Sequence, residues 1–173
     1  MLLTEEEYES YGLDPADKSL PRKLSAIEHK IRAHTNCRFQ VRPARIETLS
    51  TNGRLAGVSP YIKVGDTVEV SASGVNDGLY AVASVAGDTT VLDRELFDAP
   101  LNRMTLVRYP PDVIAGAVGI LEYEKSIDGK QGLASESLSR RSVTYVQPAQ
   151  GSSLAGYPLS ITAFLKPYMR ATF

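Results

Sequence analysis

The chain has 173 residues, 43% of them hydrophobic, and a formal net charge of −1 at neutral pH. That size and apolar share suit one domain, or one domain with an insertion, holding a real core. The near-zero charge argues against strong nonspecific DNA affinity, and neither a membrane span nor a secretory signal is expected, because no apolar run reaches about 18 residues and the start is acidic.

Thr4 is a plausible N-cap for a short helix, with Glu5, Glu6 and Glu7 at the positive end of its dipole and Gly12 and Pro15 to stop it. Pro21 then suits a first helical position, and Leu24, Ile27 and Ile31 follow at +3 and +4 spacing, which predicts an amphipathic helix to about Asn36. From Arg38 the period changes to two. Phe39–Arg42 and Ile46–Leu49 alternate, Asn52-Gly53 is a tight-turn pair, and Asp66–Val70, Leu79–Val85, Thr89–Leu92 and Met104–Val107 continue the series. Five or six short strands at such spacing suggest a small antiparallel barrel or sandwich.

Pro110-Pro111-Asp112 restarts helix, and Val113, Ile114, Ala117, Val118 and Leu121 form an apolar stripe that fades near Gly129. Gly116 and Gly119 inside it each cost about 1 kcal/mol relative to Ala. Either another helix approaches closely there or the helix is simply weaker. Residues 129–157 are rich in Gly, Ser, Gln and Ala and read as an extended arm or hairpin, with a strand at Arg141–Val146. Pro158 opens a last helix to about Leu165, and Pro167 breaks it before the aromatic tail. The expected fold class is α+β: a helical domain of about four helices (1–37 plus 109–173, with arm 129–157) carrying a barrel or sandwich inserted at 38–108.

Charge is uneven along the chain. Blocks 1–17, 18–45, 46–124 and 125–173 carry −6, +7, −6 and +4. Internal pairing and solvated faces explain this equally as well as a polar protomer whose acidic and basic faces meet head to tail.

Sites of chemistry are not evident, and no enzyme, metal or cofactor is expected. His29 and His34 lie five apart, about 140° around a helix, where ligands sharing a face need a spacing near four. Cys37 follows His34 by three, but it is the single cysteine, which also excludes an intrachain disulfide and fits a reducing cytoplasm. Gly151–Gly156 misses the GxSxG nucleophile elbow by one position, and Gly129-Lys130 has Glu124 where a P-loop needs glycine. Nucleic-acid binding is the competing reading, with Tyr80 and Phe97 to stack and Arg94 and Arg103 to meet phosphates. The insert reads as acidic, which opposes that role.

Three segments carry a family resemblance: the acidic start followed by Leu24-xx-Ile27-xxx-Ile31, the helix from Pro110 to Glu124, and Ala134-Ser-Glu-Ser-Leu-Ser-Arg-Arg-Ser-Val-Thr-Tyr145. In this order they resemble the head–tail connector (adaptor) proteins of tailed phages and prophages, over residues 1–37 and 109–173. The resemblance implies a non-enzymatic structural subunit, assembled in the bacterial cytoplasm into a ring, often dodecameric, at the head–tail interface of the virion. The ring would sit between portal and stopper or tail proteins, with DNA passing through its lumen without sequence-specific contact. It further implies that Ser135, Glu136, Ser137, Arg140, Arg141, Val143 and Tyr145 touch the neighbouring protomer. Portal docking would fall to Phe164, Leu165, Tyr168, Met169 and Phe173. Another neck protein, a stopper or tail-completion subunit, is the nearest alternative.

Overall fold

The structure is a computed structural model and describes residues 2–127, 135–138, 141–144, 153–154 and 156–171. It divides into two compact units: a sheet unit built on Arg38–Tyr109 and a helical unit built on Glu7–Cys37 and Pro110–Phe173.

In the sheet unit, β1 (Gln40–Thr51), β2 (Arg54–Leu55), β3 (Thr67–Ser71), β4 (Gly78–Ala86), β5 (Thr89–Leu92) and β6 (Ala99–Val107) are all antiparallel. Their order is β1-β2-β5-β4-β3-β6, and β6 pairs back onto β1. The expectation of about four helices with an inserted barrel or sandwich is therefore corrected. The described residues hold three α-helices and one six-stranded sheet, with no second sheet stacked on it to make a sandwich. Nor is it a barrel of comparable staves. The sheet curls round until its ends meet through the two-residue β2, which touches β5 at the single register pair Leu55↔Thr90.

Phe39–Arg42 and Ile46–Leu49 are not separate strands but one, β1, with a bulge. Gln40 faces Val107 while Arg45 faces Thr105, so Val41–Ala44 bow out of register. Pro43 lies in the bow, where its missing N–H breaks no ladder bond. Asn52 (φ 52°) and Gly53 (φ 77°) both take the left-handed conformation that a type I′ hairpin turn requires. Inside the curl, Leu55, Val68, Val70, Val82, Met104 and Leu106 form the core. The chain enters at Gln40 and leaves at Val107, which are register partners, so both connections lie at one end of the sheet. Phe39 and Tyr109 pack there with ring centroids 4.9 Å apart and planes tilted by 48°.

The acidic excess over 46–124 does not belong to this unit. Arg38–Tyr109 carries eight acidic and eight basic side chains. Asp112, Glu122 and Glu124 lie beyond it, and Arg38, Arg42 and Arg45 within it.

In the helical unit, α1 (Leu20–Thr35) begins with Pro21 in its first turn and ends on Asn36 at φ 49°. α2 spans Pro111–Ile127. The expected N-terminal helix is instead two 3-10 turns, Glu5–Glu7 and Glu9–Tyr11, the second closed by Gly12 at φ 69°. Leu24, Ile27 and Ile31 of α1 and Val113, Ala117, Ile120 and Leu121 of α2 are buried along the seam of the pair. Each of the Val, Leu and Ile side chains among them contributes about 1.5–3 kcal/mol on leaving water. The last helix is one turn, α3 (Leu159–Thr162), continuing as a 3-10 segment Ala163–Tyr168 that runs through Pro167.

Gly116 resolves in favour of close packing. A Cβ built there would overlap the Phe164 ring, whereas one at Gly119 would meet open space. Gly116→Ala should therefore destabilise the helical unit by about 1–3 kcal/mol through overpacking. Gly119→Ala should stabilise it by about 0.5–1 kcal/mol through helix propensity. Urea unfolding followed at 222 nm checks both; equal effects would contradict the notch.

Candidate functional site

No cleft gathers chemistry among the described residues, and no group of three or more His, Cys, Asp or Glu is placed to hold a metal ion. His29 is exposed, His34 is half-buried with an unbonded Nε2, and Cys37 is buried. Three surfaces remain as candidates for binding other molecules.

The first is the arm. Arg141–Thr144 is not a lone strand: β7 (Ser135–Leu138) and β8 (Arg141–Thr144) form an antiparallel ribbon, with Ser135 opposite Thr144 and Leu138 opposite Arg141. Neither strand pairs with a third among the described residues. Arg140 and Tyr145 lie outside the described residues. A second ribbon, β9 (Ser153–Leu154) with β10 (Tyr157–Pro158), follows.

The second is the C-terminal segment, whose expected docking residues separate. Leu165 is buried with Ile27, Ile31 and Ile120, so it belongs to the core. Phe164 is half-buried in the Gly116 notch. Tyr168 donates its hydroxyl to the Asp112 carboxylate (2.8 and 2.9 Å), and that carboxylate raises the phenol's pKa. Met169 is 50% exposed, and Phe173 lies outside the described residues.

The third is the far end of the sheet, away from the chain connections, and sequence reasoning missed its organisation. Buried Asn76 accepts the Phe97 N–H (2.9 Å) on Oδ1 and donates from Nδ2 to the Phe97 carbonyl (2.9 Å) and to Asn102 Oδ1 (3.0 Å). Ser50 donates to the same carbonyl at 2.6 Å, and Asn102 donates to Ser50 at 3.0 Å. The ring of Phe97 nevertheless stands 72% exposed. Read alone, Val75-Asn76-Asp77-Gly78 is only turn chemistry, because nothing local marks Asn76 as the hub of contacts 21 to 26 residues away.

Of the residues suited to nucleic acid, three are already engaged. Arg94 lies over the Tyr80 ring (4.4 Å) and donates to the Leu79 carbonyl, while Tyr80 donates to the Asn76 carbonyl. Arg103 is paired with Glu47 at 2.7 Å.

On the helical unit, Lys30 donates to the Tyr157 hydroxyl, which donates to Glu124; Lys30 and Glu124 lie 3.7 Å apart. Burial, then the bond to Glu124, pushes the Tyr157 phenol up, which leaves it neutral and a poor base. The bond to Tyr157, aided by Glu124, raises Lys30. This triad ties β10 to α1 and α2.

No family model matches the chain, and no curated protein matches it.

Both folded-state pKa values in the triad lie above their unfolded ones. Their stabilisation is thus complete below the ordinary tyrosine and lysine range and is lost as pH rises through the folded values. The melting temperature of the helical unit should fall above about pH 10. Tyr157→Phe should flatten that alkaline fall; an unchanged slope would dissociate the triad from it.

Proposed function

We propose that the protein is a structural subunit of a tailed-phage or prophage head–tail connector. Subunits assemble in the host cytoplasm into a ring between portal and stopper or tail proteins, and DNA threads the lumen. No bond is made or broken; the work is assembly.

One observation carries this reading: one of the three segments that bear the family resemblance forms, among the described residues, a ribbon of two strands, β7 and β8. A lone two-stranded ribbon is marginal in water, and each outer edge holds a row of backbone donors and acceptors. A strand from a neighbouring protomer satisfies both needs by β-augmentation. Such a contact joins different surfaces of two identical chains, which is the kind that closes into a ring. The half-buried Phe164, Tyr168 and the exposed Met169 are the described members of the portal-docking set, Leu165 serving to fix that segment to the core.

Proline scanning of β8 tests the reading. Adjacent residues of a strand point their N–H groups to opposite sides, so Ser142→Pro and Val143→Pro together remove one donor from the ribbon's own ladder and one from its free edge. Both should abolish ring formation seen by electron microscopy on mixing with a portal protein, while the circular dichroism of α1 and α2 is unchanged. Rings that form equally from both variants would exclude β-augmentation through β8.

A further inference from the structure

We propose that the far end of the sheet, centred on Phe97 and Val75, docks on the basic outer face of α1 of a second copy of this chain. The inference deepens the connector reading and rests on it.

The end is over-determined for a surface loop. Phe97 has both its N–H and its carbonyl held by the buried Asn76 amide, with Ser50 bonding the carbonyl as well. Val75, the next residue before Asn76, is 60% exposed on a loop closed by Asp77. That carboxylate accepts the Ser73 N–H (3.0 Å), the Ser73 hydroxyl (2.9 Å) and the Gly74 N–H (3.2 Å). Ala72, at φ 65°, is held in a conformation an alanine rarely adopts. Asp98 accepts the Asn52 N–H at 2.8 Å and pins the third loop of this end.

A solvated loop needs none of this. Fixing the backbone while leaving a large aromatic side chain in water removes in advance the ordering cost that an interface anchor otherwise incurs. Exposed aromatic anchors of this kind bind by insertion among apolar or aliphatic groups of a partner.

Charge selects the occupant. The loops carrying Phe97 and Val75 bring Asp77, Asp93, Glu95 and Asp98 to this end, against Arg54 on the Asn52–Gly53 loop, with Arg94 already folded over Tyr80. On the other side, every exposed charged residue from Lys18 to Ala33 is basic, and the one acid there, Glu28, is buried. Lys18, Arg22 and Lys23 flank Ala26 on that face, offering aliphatic stems beside cationic heads. Lys23 has a long contact to Asp17 (3.9 Å), a surface pair that yields readily to a partner. The acidic-rimmed tip and the basic helix face are thus complementary surfaces of one sequence.

Sedimentation velocity of the full chain at low salt, as a function of concentration, tests the contact. Self-association should weaken with added salt, and Phe97→Ala should raise the dissociation constant about 10- to 100-fold. Glu95→Lys with Asp98→Lys should also weaken it, and adding Arg22→Glu with Lys23→Glu to that chain should restore it. Unchanged melting of Phe97→Ala is the expected control, since the ring is exposed. Association indifferent to Phe97→Ala, or reversed charges that fail to restore it, would overturn the contact; if the β8 prolines still abolish rings, the connector reading survives. A chain that stays monomeric both alone and with the portal ring would overturn both.

Discussion

The helical unit depends on one apolar seam. α1 and α2 are separated in sequence by the whole sheet, and neither stripe is satisfied alone: Leu24, Ile27 and Ile31 need Val113, Ala117, Ile120 and Leu121. Leu165 enters the same core from the C-terminal segment, and Phe164 fills the notch that Gly116 leaves. The Lys30–Tyr157–Glu124 bonds tie the intervening β10 to both helices. The insertion is compatible with this seam because the sheet returns the chain where it received it, Gln40 facing Val107.

Once those groups are satisfied, what stays open is informative. In the helical unit it includes Met169 and, among the described residues, the outer edges of the β7–β8 ribbon; in the sheet unit it includes Tyr61, Val64, Val75 and Phe97, the last with its backbone held by the buried Asn76 amide. Among the described residues these places present backbone edge or apolar side chain. The tightly bonded Tyr157 belongs to the seam and has structural work to do there.

Sequence periodicity made the helices legible because Leu24, Ile27 and Ile31 lie at helical spacing behind a proline that suits a first turn. Asn52-Gly53 likewise announced its hairpin, since few other pairs tolerate two positive φ angles. Closure was less legible. How far a sheet curls depends on pairings such as Leu55↔Thr90 between strands 35 residues apart, which no local pattern encodes. The bulge in β1 was hidden because Pro43 reads as a strand break until its partner strand is seen to stay continuous. The packing of the C-terminal segment was hard to read for a similar reason. Pro167 suggests an end to helix, yet the 3-10 segment runs through it, keeping Leu165 inside and Tyr168 bonded to Asp112. Asn76 was invisible for the plainest reason, that its partners Ser50, Phe97 and Asn102 are distant in sequence.

Amide hydrogen exchange across residues 135–144 tests most directly whether the ribbon is an assembly edge. Amides of β7 and β8 should exchange quickly in the free protein and become protected when the ring forms, because only then does a neighbouring strand cover the outer edge. Strong protection in the free monomer, unchanged on mixing with portal, would mean the ribbon is already satisfied within its own chain, and the connector reading would fail.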